Sequence, residues 1–177
     1  MNELGEKNII AAVRTEAELT AALQSGVGCI FLLCSSILTL GDWLKKAHAA
    51  GKKVFIHLDM SEGIGRDNAG VSYVAGLGVD GIISTRTSII RAAREMGLPA
   101  VQRVFSIDSQ AIQVSTAAHP SYIEVMPGVI PKVIRRFCAT TAVPIIAGGL
   151  IETDEEVAAA LASGAVAVST ANQGLWK

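Results

Sequence analysis

The sequence has no apolar run approaching the roughly 20 residues that a bilayer-spanning helix needs. Its first residues, Met1-Asn-Glu-Leu-Gly-Glu-Lys-Asn8, mix charges of both signs and lack the apolar stretch of a signal peptide. A cytoplasmic protein without a membrane segment is the expectation. Cysteine is sparse: Cys29, Cys34 and Cys138 stand apart with no Cys-x-x-Cys pair. That spacing excludes a disulfide framework and a zinc site, and points to buried thiols in a reducing compartment. Positive charge is not in excess, with 15 Lys and Arg against 16 Asp and Glu, so no global field draws the chain onto nucleic acid. Two Trp, two Tyr and four Phe provide no aromatic platform of the kind common RNA modules use. Low-complexity tracts, long charge runs and Pro- or Ser-rich linkers are also missing, so residues 1–177 read as one domain.

Half of the residues are apolar, enough for a core without disulfide or metal. They fall into eight runs: Ile9 to Val13, Cys29 to Cys34, Val54 to Leu58, Gly81 to Ser84, Ala100 to Phe105, Tyr122 to Val125, Pro144 to Ala147 and Ala165 to Ser169. The runs are apolar throughout rather than alternating, as strands covered on both faces must be. Helical patterns separate them, and Gly26, Gly51, Gly78, Gly97 and Gly164 sit where a left-handed residue ends a helix before the next strand. Thr15-Glu-Ala-Glu18 and Thr153-Asp-Glu-Glu156 have the form of capping boxes.

Strand and helix alternating in this way predict an α/β fold with a parallel sheet. An open dinucleotide-binding sheet would carry G-x-G-x-x-G after its first strand, where this chain has Ala11-Ala-Val-Arg-Thr15. The expectation is therefore a compact TIM-type (β/α)8 barrel with short loops. Gly174-Leu-Trp-Lys177 is too short for a full eighth helix, so the last helix is expected to be truncated or missing, with Trp176 covering the gap.

In such a barrel the C-terminal strand ends face the ligand. Read in order, they give Arg14, Cys34, Ser35, His57, Asp59, Glu62, Thr85, Arg86, Arg103, Glu124, Gly148, Gly149, Ser169 and Thr170. Gly148 and Gly149 let the backbone approach an anion, and the helix beginning at Thr153 is expected to add oriented amides. Ser169 and Thr170 supply further donors at the next strand end, as in the phosphate sites of these barrels. Two glycines alone would mean only a tight turn; paired with Ser-Thr they favour phosphate. His57 and Asp59, two apart on one predicted strand, share a face, with Glu62 following. That trio could hold a divalent ion or perform acid-base chemistry, but a histidine oriented by a carboxylate is the simpler account. No metal or cofactor is expected, and magnesium has no support in the spacing. Arg103 and Glu124 lie among apolar neighbours where an unpaired charge is costly, so they are expected to pair with each other or with ligand. Arg86 follows a strand end and is assigned either to ligand or to a solvated loop.

Lys132, Arg135 and Arg136 stand at i, i+3 and i+4 on one helix face. A solvated face is the ordinary reading, yet it is the best local polyanion patch in the chain, together with Lys45, Lys46, Lys52 and Lys53.

Five strings in order, Val54-Phe-Ile-His-Leu-Asp59, Gly81-Ile-Ile-Ser-Thr-Arg86, Gln102-Arg-Val-Phe-Ser-Ile-Asp108, Glu124-Val-Met-Pro-Gly128 and Pro144-Ile-Ile-Ala-Gly-Gly149, carry a resemblance. From Ile9 to Asn172 the chain resembles the glycerol uptake operon antiterminator regulatory proteins. The resemblance implies a regulator that senses glycerol 3-phosphate and acts on leader mRNA of the glycerol operon to prevent premature termination. By position, Gly148, Gly149, Ser169 and Thr170 would hold the phosphate, and Asp59 and Glu124 would be the candidates for the glycerol hydroxyls. Lys132, Arg135 and Arg136 would be the RNA-contact residues, a footprint that a homodimer would double.

Two other readings share the phosphate loops. A barrel enzyme acting on a small phosphorylated metabolite, of lyase, isomerase or phosphodiesterase type, would use Arg86, His57, Asp59 and Glu62. Against it, no lysine stands at a strand end for a Schiff base, and no Ser-His-Asp order, nucleophile elbow or Walker loop occurs. A prenyltransferase-like barrel would need a long apolar groove and magnesium, neither of which the sequence supports independently.

Overall fold

The computed structural model describes residues 8–105 and 116–177. Eight parallel strands close into a barrel: β1 (Ile9–Val13), β2 (Cys29–Leu32), β4 (Lys53–His57), β6 (Gly81–Ser84), β7 (Ala100–Phe105), β8 (Tyr122–Met126), β9 (Ile145–Gly148) and β10 (Ala167–Thr170). The register closes through Ile10 opposite Ser169 and Ala11 opposite Thr170. Two further strands, β3 (Ser35–Ser36) and β5 (Ser61–Glu62), form a small parallel pair beyond the ends of β2 and β4. Among the described residues six α-helices cover the barrel: α1 (Glu16–Gln24), α2 (Leu40–Ala49), α3 (Asn68–Gly76), α4 (Thr87–Glu95), α5 (Pro131–Thr140) and α6 (Asp154–Ala162).

The unbroken apolar runs have a direct cause. Along β2, Cys29 and Phe31 enter the barrel interior while Ile30 and Leu32 pack under the helices, and all four are buried. The interior is filled by Ile10, Phe31, Phe55, Ile83, Val101 and Ile146, with the Phe31 and Phe55 rings 5.7 Å apart at 45°. Gly81 makes room for this layer: a Cβ there would lie 2.2 Å from the Phe55 ring. Both expected capping boxes form, at Thr15 with Glu18 and at Thr153 with Glu156.

Gly51, Gly78, Gly97 and Gly164 have positive φ, as their helix-end positions require. Gly26 does not. The chain leaves α1 through Ser25 in extended conformation, and the Gly26 amide donates to the Trp176 carbonyl at 3.1 Å. This bond belongs to the device that stands in for the eighth helix. After β10 the chain makes one 3-10 turn, Gln173–Leu175, and Trp176 inserts at 2 % exposure with its indole N–H on the Thr170 carbonyl at 2.9 Å. Of the thiols, Cys29 is buried, whereas Cys34 and Cys138 are only half-buried, and none forms a disulfide.

Candidate functional site

An open cleft of about 640 Å³ lies at the C-terminal mouth, over β1, β7, β8, β9 and β10. Its size is that of a small-molecule site. The floor is charged. Arg103 and Glu124, opposite each other on β7 and β8, pair through Nε and Oε2 at 2.6 Å, and Ser169 Oγ on β10 donates to Oε1 at 2.5 Å. Glu124 is 0 % and Arg103 7 % exposed. Gly148 is required beneath them, because a Cβ there would lie 2.5 Å from Glu124 Oε1 and 2.7 Å from Ser169 Oγ. Its role is thus to seat the acidic side chain against the β9 backbone.

The wall is formed by the loops after β9 and β10. Gly149 and Leu150 follow one another with φ of +78° and +62°, and Leu150, a non-glycine residue in this left-handed region, is exposed. Backbone held in this way costs of order 1–2 kcal/mol and is typical of ligand clamps. Gly149, Leu150 and Ala171 line the cleft, and the amides of Leu150 and Ala171 donate to no acceptor among the described residues. Arg14, at the end of β1, also lines it, exposed and with no side-chain partner among the described residues.

The α6 N-terminus behaves otherwise than its sequence suggested. Glu156 Oε2 accepts from the amides of Glu152 at 2.7 Å and Thr153 at 3.1 Å, while the Glu156 amide donates to Thr153 Oγ1 at 3.2 Å. With Asp154, Glu155 and Glu156 in its first turn, this helix start is already supplied with negative charge, although Glu152 and Thr153 line the cleft. Thr170 Oγ1 is likewise engaged, donating to the Ile151 carbonyl at 2.7 Å and accepting from the Asn172 amide at 3.0 Å, so Thr170 braces the two loops together.

Asp59 and Arg86 form a second cluster that does not line the cleft. The β4 strand ends at His57, and Leu58–Met60 is a 3-10 turn, so His57 and Asp59 do not share a strand face as their spacing implied. Asp59 turns to the β6–α4 loop, where it accepts from Ser84 Oγ at 2.7 Å, the Thr85 amide at 2.7 Å and Thr85 Oγ1 at 2.9 Å. Burial works to raise its pKa, but these hydrogen bonds prevail and hold it below the ordinary carboxylate value. Arg86 Nε stands 3.9 Å from Asp59 Oδ1, with its side chain half exposed. His57 is pushed down to about 4, by burial first and then by the Arg103 charge, and so is neutral near pH 7. Its Nδ1 has no partner among the described residues. Among those residues, no three His, Cys, Asp or Glu side chains gather in a way that could hold a metal ion.

The sequence pointed to Arg103, Glu124, Gly149, Ser169 and Thr170, which the cleft brings together, with Gly148 beneath them. It missed Ala171, which simply continues the Ser169-Thr170 strand end. It also missed Leu150, whose type gives no hint of a left-handed backbone.

Residues 9–176 match the model of a family described as glycerol-3-phosphate responsive antiterminator. The chain belongs to the glycerol-3-phosphate responsive antiterminator family. YgcP of Escherichia coli (strain K12) is 36 % identical over 179 residues, covering 98 % of this chain and 93 % of that protein. The crystal structure of the glycerol uptake operon antiterminator regulatory protein from Listeria monocytogenes str. 4b F2365 superposes with a TM-score of 0.91 at 36 % identity, covering 97 % of this chain and 96 % of that one. The crystal structure of a glycerol uptake operon antiterminator-related protein from Thermotoga maritima MSB8 gives a TM-score of 0.85 at 34 % identity, with 96 % and 98 % covered. Orotidine 5'-phosphate decarboxylase from Pyrococcus horikoshii OT3, at 16 % identity and a TM-score of 0.66 over 92 % and 88 % of the two chains, shares the barrel fold alone. The chain is thus a member of a regulatory family built on a fold that enzymes also use. No helix among its described residues is long and apolar enough to cross a membrane.

Proposed function

We propose that this protein is an antiterminator that binds glycerol 3-phosphate in the β9–β10 cleft and, in that state, acts on the leader mRNA of a glycerol operon in the cytoplasm. The observation that carries the reading is the pairing of two unlike walls in one cleft. Open amides at Leu150 and Ala171 suit a phosphate, with Arg14 as the cation beside them. The Arg103–Glu124–Ser169 floor offers donors and acceptors to hydroxyls.

The RNA surface is assigned to α5, where Lys132, Arg135 and Arg136 are all exposed and Arg135 Nη1 is steadied by Ser163 Oγ at 3.3 Å. A homodimer would double this footprint. Ligand and RNA must then be thermodynamically coupled, each raising the affinity for the other by the same factor. A gel-shift titration of a glycerol-operon leader transcript, with and without glycerol 3-phosphate, tests this. The ligand is expected to tighten binding at least tenfold, and an unchanged affinity refutes the gating. Replacing Lys132, Arg135 and Arg136 by Ala should lower the log–log salt slope by about 2, the value for three contacts to a single strand. An unchanged slope rejects α5.

A further inference from the structure

We infer that the buried Arg103–Glu124 pair makes the cleft selective for phosphomonoesters of uncharged polyols and rejects the matching phosphorylated carboxylic acids. The inference rests on the phosphate-ligand reading and goes beyond it, by naming Glu124 as the residue that sets selectivity at the ligand's other end.

The floor is neutral as a unit, since the single Arg103 charge is matched by Glu124 at 2.6 Å. Arg103 therefore brings no unspent positive charge to a ligand carboxylate that must leave water. Glu124 cannot withdraw. Its Oε1 is held by Ser169 Oγ at 2.5 Å, and it lies so close to β9 that even a methyl group on Gly148 would meet it. A carboxylate oxygen pair has about four acceptor positions, of which Arg103 and Ser169 fill two, so Glu124 still asks for donors. A hydroxyl satisfies both members of the floor, donating to Glu124 and accepting from the guanidinium. A ligand carboxylate only accepts, and leaves one anion facing another where water is largely excluded.

The test is calorimetry of the full chain with glycerol 3-phosphate and with 3-phosphoglycerate, which carries a carboxylate where the former has a terminal CH2OH. Wild type is expected to bind the polyol ester at least 100-fold more tightly, and a ratio below fivefold overturns the inference. In Glu124→Gln, Arg103 becomes an unbalanced cation, and the ratio should move at least tenfold toward the acid. An unmoved ratio in a folded Glu124→Gln protein also overturns it. The double variant Arg103→Gln/Glu124→Gln, whose floor carries no charge, should not make that shift toward the acid, and a shift as large as the single variant's contradicts the charge argument. If Glu124→Gln does not fold, the wild-type ratio alone decides. Wild type binding neither compound refutes the ligand reading itself, an outcome distinct from binding both equally.

Discussion

Acidification from pH 7 to pH 5 should cost this protein stability through one side chain. His57 is 3 % exposed inside the barrel, and burial, followed by the Arg103 charge, lowers its pKa from 6.5 to about 4. The group is thus depressed on folding. Its contribution is fully present above pH 6.5 and is lost as pH falls toward 4, because the unfolded chain takes up the proton first. At about 1.36 kcal/mol per pH unit, the interval from 6.5 to 5 removes about 2 kcal/mol. Urea unfolding at pH 7 and pH 5, in wild type and in His57→Gln, isolates this term from every other titration. Wild type should lose about 2 kcal/mol more than the variant over that interval. Equal losses would mean that His57 is not held neutral by its surroundings.

Other substitutions probe the site and its frame. Gly148→Ala forces a methyl group into Glu124 and Ser169; the unfolding free energy from urea titration should fall by about 1–3 kcal/mol, and calorimetry should show glycerol 3-phosphate binding weakened more than tenfold. Trp176→Ala removes the plug under the missing helix and should cost about 3–5 kcal/mol by thermal or urea unfolding; a loss below 1 kcal/mol would show that the 3-10 turn holds without it. Asp59→Asn disturbs the bonds to Ser84 and Thr85 and should cost about 1–3 kcal/mol, while the ligand Kd stays within threefold of wild type. A tenfold rise in that Kd would put Asp59 at the ligand.

The barrel was legible because burial on both strand faces leaves a continuous apolar run, and each of the eight runs proved to be a barrel strand within a few residues of its expected ends. The ion pair between Arg103 and Glu124 was legible for a related reason, since charges between apolar neighbours on adjacent strands need a partner. What failed was extrapolation past a strand end. The period-two rule placed Asp59 beside His57, but a 3-10 turn intervenes and sends the carboxylate to the next loop. The Thr153 helix start looked like an anion site, yet its capping box takes up the Thr153 and Glu156 amides and three acidic side chains crowd its first turn. At Gly26, a glycine in a helix-end position turned out to serve a distant carbonyl at Trp176, a contact that no local pattern encodes.

The central claim is that the β9–β10 wall and the Arg103–Glu124 floor together hold one phosphorylated triol. Calorimetry of the intact chain with glycerol 3-phosphate, glycerol and inorganic phosphate, each alone, tests it most directly. Saturable one-to-one binding of glycerol 3-phosphate, at least 100-fold tighter than either fragment, is the predicted result. Binding of inorganic phosphate as tight as that of the ester, or no heat with any of the three, would contradict the account.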